Sequence, residues 1–193
     1  MAPVQERVEE AGKWLESADL TYCSARCLFV QRNPFLWFDA AYLLHQALEK
    51  YAKALLAHQG RGGRGHDLAA LFGQIMELFL EIDVPEVRRV IEKLNHLQEL
   101  RYPDMRFRGQ GLGPEELDDA DFVVRLVRER LPKAVTDEGI GSIVRRPLEN
   151  FHLQLVAMLV KDNKQLEYWR EELLGISAEV NEILGELPSP SAE

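Results

Sequence analysis

From one end of this chain to the other, apolar residues recur at steps of three and four, the period of an amphipathic helix, and no stretch reads as a strand. That pattern confines the fold to the all-α class. Val4, Val8, Ala11, Leu15, Ala18, Tyr22, Ala25 and Phe29 form the stripe of one long helix. Asn33 and Pro34 restart the chain as an N-cap followed by proline at the first helical position. The second helix, 35 to 59, carries Trp37, Ala41, Leu44, Leu48, Tyr51 and Leu55 on one face, with Leu43, Ala47 and Ala54 beside it. So wide an apolar surface predicts a central place in a bundle.

Glycines 60, 62, 63 and 65 stop that helix, and Asp67 is placed to cap a third with Leu68, Leu71, Phe72, Ile75 and Phe79 inward. Pro85 opens a fourth, bearing Val87, Val90, Ile91, Leu94 and Leu97, which ends at RYPD because Pro103 disfavours helix at the residue before it. Past glycines 109, 111 and 113, Pro114 and EELDD open a fifth, whose stripe is Leu117, Ala120, Val124, Val127 and Leu131. Short connections make neighbours antiparallel, so the expected architecture is an up-and-down antiparallel bundle of five helices over residues 1–135. Residues 136–193 form an extension of two further helices. Pro147 limits the start of the sixth, and Leu166, Trp169, Leu173, Ile176, Val180 and Ile183 make a seam suited either to a hairpin within the chain or to a dimer contact.

The 193 residues carry a formal net charge of -9, which argues against coating duplex DNA by bulk charge and requires any polyanion to be met by a local patch. Two loops offer one. RYPDMRFRGQG places Arg101, Arg106 and Arg108 among Tyr102, Met105 and Phe107 against the single acid Asp104, and HQGRGGRGH supplies Arg61, Arg64 and His66. Simple alternation of five helices puts both loops at one end, where the third helix offers its N-terminal amides to an anion. Arg101 continues the inward stripe four residues beyond Leu97. The plainer reading is that these arginines complement helix C-termini, pair with Asp104 or Glu49, or pack within their own loop.

Glu49 with Lys53, and Gln46 with Lys50, read as one-turn pairs on an exposed helix face. His66 suits either the cap of the third helix or an anion contact. His45 has no second ligand at metal spacing, so neither a metal nor another cofactor is expected. Cys23 and Cys27, one turn apart, fit a reducing compartment. No apolar run is long enough to span a bilayer and no leader is legible, so a cytoplasmic protein is expected.

The segments AYLLHQALEKYAKALLAHQG (41 to 60), GHDL (65 to 68) and LRYPD (100 to 104), in that order behind WLESADLTYCSA (14 to 25), resemble the HEPN domain over residues 4 to 132. The resemblance implies a compact helical bundle, frequent homodimers, and roles around nucleotides and RNA, often beside a minimal nucleotidyltransferase in toxin-antitoxin-like or stress-response systems. Some HEPN proteins are metal-independent ribonucleases, marked by an arginine followed four to six residues later by a histidine. No histidine follows Arg101 here, whereas Arg61 with His66 and Arg146 with His152 meet the spacing. In the family reading Glu49 and Lys50 line a cleft beside Arg101, with Glu49 as its positioning partner.

The expectation is therefore a non-catalytic module that binds a nucleotide or single-stranded RNA through Arg101, Tyr102, Asp104, Arg106, Arg108, Arg61, Arg64, His66, Glu49 and Lys50. The alternatives are a ribonuclease using an arginine-histidine pair, and a protein-interaction partner with no nucleic-acid ligand.

Overall fold

The computed structural model describes residues 3–31, 33–101 and 113–136, together with Asn163 and Gln165. Its helices are α1 (Val4–Val30), α2 (Pro34–His58), α3 (Leu68–Leu78), α4 (Pro85–Asn95), α5 (Pro114–Arg128) and the single turn α6 (Lys133–Thr136), with 3-10 segments at Leu80–Ile82 and His96–Arg101. There is no strand among the described residues, so the all-α bundle expected from periodicity is the fold observed. The expected sixth and seventh helices lie outside the described residues, apart from Asn163 and Gln165. No helix of the described residues is long and apolar enough to cross a membrane.

At 27 and 25 residues, α1 and α2 are each roughly 40 Å long and form the frame of the bundle. They run antiparallel. Arg7 donates to the His58 carbonyl at one end (3.3 Å), Lys50 to the Thr21 hydroxyl midway (2.7 Å), and Phe29 stacks on Trp37 near the connecting turn (5.8 Å between centroids). From Ala47 to Ala57 every residue of α2 except Lys50 is buried, which is the central position its wide apolar surface predicted. Val4, by contrast, is 66% exposed. Val8 packs at the edge of the core and the fully buried stripe starts at Ala11, because α2 ends at His58, opposite Arg7.

The directions of the later helices depart from simple alternation. The glycine loop does not turn at the tip of α2 but runs back along it: a Cβ on Gly63 would lie 3.0 Å from Lys53 Cγ and 3.2 Å from Leu56 Cδ1, and His66 reaches Glu49. α3 therefore starts beside Asn95, which accepts from the Leu68 amide, and ends near Arg61, whose guanidinium meets Glu77. It runs in the same sense as α2. α4 then returns, and Lys93 near its end pairs with Glu116 (3.2 Å) and Asp119 (3.0 Å) near the start of α5.

Two ion pairs fix the sense of α5: Arg26 meets Asp121, and Asp19 meets Arg128 at 2.6 Å, so numbers rise along one helix as they fall along the other. Gly113, at the head of α5, consequently lies toward the turn between α1 and α2, the opposite end from Arg61. The loop between Arg101 and Gly113, which the sequence places at the same end as Arg61, lies outside the described residues. Behind α5, Arg125 donates to Gln165 (2.9 Å) and Asn163 is buried.

Candidate functional site

The glycine loop is held at several points. Gly60 and Gly65 adopt positive φ (71° and 91°), conformations that residues with a Cβ rarely take. The Arg61 amide donates to the Leu56 carbonyl (2.9 Å), and Gly63 fits closely against α2. Asp67 caps α3 as its position predicted, accepting from the Ala70 amide at 3.2 Å, while Asn95 takes the Leu68 amide at 2.9 Å. These two side chains occupy amides that the sequence reading offered to an anion. His66 is not the cap.

Instead His66 Nδ1 stands 3.0 Å from Glu49 Oε2, while Lys53 Nζ holds Glu49 Oε1 at 2.6 Å and lies over the Trp14 ring at 5.1 Å. Glu49 and Lys53 are buried, which corrects the reading of them as an exposed surface pair: the returning loop covers the face of α2 that they share. Burial pushes the Glu49 carboxyl up, but hydrogen bonds and charge from Lys53 and His66 outweigh it and leave the group below its ordinary value. The His66 ring itself is 80% exposed, so a buried carboxylate anchors an imidazole whose far edge faces solvent.

Of the other expected site residues, Arg64 is exposed and has no ion-pair or hydrogen-bond partner among the described residues, whereas Arg61 is committed to Glu77 at 3.1 Å. Lys50 turns to Thr21 on α1, and burial lowers its ammonium. His45, one turn before Glu49, is buried; burial lowers its pKa, and its Nε2 has no hydrogen-bond partner among the described residues. The structure thus brings together Glu49, Lys53 and His66, with Arg64 two residues away on the loop, and leaves Arg61 and Lys50 engaged elsewhere. Arg101 closes the 3-10 segment, which packs on α2. Its side chain lies outside the described residues, as do Tyr102, Asp104, Arg106 and Arg108, and also Arg146 and His152. Among the described residues no group of three His, Cys, Asp or Glu could hold a metal ion.

Sequence reasoning missed a second polar constellation. Asp19, Tyr22 and Arg26 of α1, Tyr51 of α2, and Asp121 and Arg128 of α5 are all buried. Arg128 donates to both oxygens of Asp19 (2.6 and 2.8 Å), Tyr51 donates to Asp19, and Tyr22 and Arg26 donate to Asp121. Burial, reinforced by the adjacent carboxylates, pushes both tyrosine hydroxyls well up. The available signal was spacing: Asp19, Tyr22 and Arg26 stand at i, i+3 and i+7, and Asp121 and Arg128 are seven apart, so each set shares a helix face. Closed to solvent, this cluster orients α5 rather than meeting a ligand. Cys23 beside it is free, and burial pushes its thiol up to about 12, the setting of an inert core cysteine.

The family model of the HEPN domain matches residues 11–133, which takes in most of α1, all of α2 to α5 and the glycine loop. No curated protein and no solved structure matches the chain. The match covers well over half of the sequence and coincides with the described bundle, and on that ground the chain belongs to the HEPN domain family.

Proposed function

We propose that this HEPN protein is a cytoplasmic nucleotide-binding module that holds the phosphate of a nucleotide or of single-stranded RNA at its glycine-loop face without cutting it. HEPN membership supports nucleotide binding or ribonuclease-like chemistry in general. The observation that carries the narrower reading is His66, anchored from behind by Glu49, two residues from Arg64, an exposed guanidinium with no ion-pair partner among the described residues. Arg26, Arg61, Arg88, Arg125, Arg128 and Arg130 are each paired with an acid, whereas Arg64, presented on a fixed loop, is available to an external phosphate. The absence of a histidine after Arg101 supports binding without cleavage.

The test is a panel of mono-, di- and trinucleotides and short single-stranded RNAs at low salt, read by melting temperature and dissociation constant. Arg64→Ala weakens binding by about tenfold or more, as expected for loss of a charge-assisted hydrogen bond, and leaves the unliganded melt unchanged. No shift with any ligand refutes the reading. Parallel Arg101→Ala and Arg106→Ala variants show whether the RYPD segment meets the same ligand.

One observation favours the ribonuclease reading as the second: a carboxylate-oriented imidazole open to solvent is the arrangement a general base requires. RNA cleavage in the presence of a chelator, abolished by His66→Ala, establishes it. A second copy of the chain and a nucleotidyltransferase are the partners this proposal expects; light scattering and co-purification test each.

A further inference from the structure

We infer that Lys50, in the seam between α1 and α2, is an acylation site: of the lysines among the described residues, it is the one that activated acyl donors, acyl phosphates or acyl thioesters, modify first. Five lysines stand among those residues, and their surroundings divide them. Lys53 is held by Glu49 at 2.6 Å, and Lys93 by Glu116 and Asp119 at 3.2 and 3.0 Å, so a carboxylate favours the charged form of each. Lys13 and Lys133 are exposed to water. Lys50 is half-buried, has no acid within ion-pair distance among the described residues, and meets the neutral hydroxyl of Thr21 at 2.7 Å.

Thr21 donates its own proton to the Ser17 carbonyl at 2.8 Å, so its oxygen accepts from Lys50. This arrangement suits the neutral amine as well as the ammonium: one N–H stays on Thr21, and deprotonation leaves a lone pair that the Thr21 proton does not cover. Burial in the seam holds the ammonium below its ordinary value. Glu49, whose two oxygens engage Lys53 and His66, is the charged group that opposes this shift. Desolvation is one of the ways a protein activates a lysine amine as a nucleophile. The gain in neutral amine outweighs the loss of basicity, because nucleophilicity changes less steeply than basicity.

The step needs no reactant beyond the donor. Lys50 first gives a proton to water. Its nitrogen then attacks the acyl carbon, a C–N bond forms, and the C–O bond to phosphate, or the C–S bond of a thioester, breaks with its electron pair leaving on phosphate or thiolate. The nitrogen sheds a second proton to water. The product is a neutral amide that keeps one N–H for Thr21 and removes the charge from the seam. None of this depends on nucleotide binding, since Lys50 stands outside the glycine-loop site.

The experiment treats the full chain with acetyl phosphate in one arm and acetyl-coenzyme A in the other, at about pH 8, and reads the initial rate at each lysine by peptide mass spectrometry. In at least one arm Lys50 is acetylated about threefold or more faster than Lys13 and Lys133. The arm in which it leads identifies the class of donor. Across a pH series the Lys50 rate reaches half its maximum below about pH 10.4, the ordinary midpoint of a lysine amine. Thr21→Asp, which sets a carboxylate beside the amine, removes the lead of Lys50 and leaves Lys13 and Lys133 reacting as before. If that variant does not fold, the wild-type pH series decides. Acetylation of Lys50 no faster than of the exposed lysines in both arms overturns the inference, as does a midpoint at or above the ordinary one. A lead that persists in folded Thr21→Asp overturns it too.

Discussion

Arg26 and Arg128 are among the largest side chains in the core with essentially no solvent exposure, and each is matched by an acid from the facing helix. Removing water from a guanidinium is costly, and the cost is recovered only while the partner and its hydrogen bonds are in place. Asp19 illustrates this: it accepts from Arg128 through both oxygens and from Tyr51 as well. Arg128→Ala therefore leaves a buried carboxylate short of its charge partner, and urea denaturation should show a loss of about 3–5 kcal/mol. Replacing both partners with apolar residues, Asp19→Leu with Arg128→Met, should recover a large part of that loss, because no charge is then stranded. A double variant no more stable than Arg128→Ala would show that Asp19 is held chiefly by something other than its arginine. The affinity of the glycine-loop site should be unchanged in either protein so long as it folds, since the pair is sealed from solvent.

Helix boundaries and core faces were legible in the sequence because a helix repeats: Leu117, Ala120, Val124, Val127 and Leu131 are all buried, as a 3.6-residue period requires. The path of the glycine loop was not legible, because glycines announce freedom without direction. Glu49 and His66, 17 residues apart, were each singled out, yet their pairing depends on the loop returning along α2, and that return depends on a contact no periodicity encodes. The buried acid-arginine pairs were hidden for a related reason: charges on a helix usually mean solvent, and only the partner helix shows otherwise.

Gly63 makes the loop's path testable. A Cβ there would stand 3.0 Å from Lys53 Cγ, 3.2 Å from Leu56 Cδ1 and 3.4 Å from Leu71 Cδ2, whereas at Gly62 nothing lies within 4 Å. Gly63→Ala should destabilise the protein by about 1–3 kcal/mol, as overpacking does. It should also displace His66 from Glu49, seen as altered His66 resonances, while Gly62→Ala, the matched control, should change neither. Equal effects from the two substitutions would mean that the loop does not pack against α2.

At the scale of the whole molecule two effects of acid oppose each other. The net charge of -9 shrinks toward zero as pH approaches the isoelectric point, about 5.2, which relieves self-repulsion and would raise stability. His45 and His58 act in the other direction. Burial holds both imidazoles below their ordinary value, against the pull of Glu49 and Asn95 at His45 and with the help of Arg7's charge at His58. Below pH 6.5 the unfolded chain therefore binds protons that the folded chain refuses, so stability falls as pH falls through that range. Glu49 adds a second descent. Its carboxyl lies below 4.5 in the folded state, so its contribution is present above 4.5 and is lost as pH drops through the folded value.

Self-repulsion among surface charges is screened beyond roughly 8 Å at physiological salt, whereas a buried or half-buried imidazole is screened much less, so the histidines should win there. The melting temperature should fall between pH 7 and pH 5 at constant ionic strength and fall more steeply below about pH 4.5. His45→Gln, which removes the charge change and keeps a polar side chain, should flatten the upper descent without altering the lower one. A melting temperature that rises steadily from neutral pH to the isoelectric point would show that relief of surface repulsion outweighs the buried imidazoles.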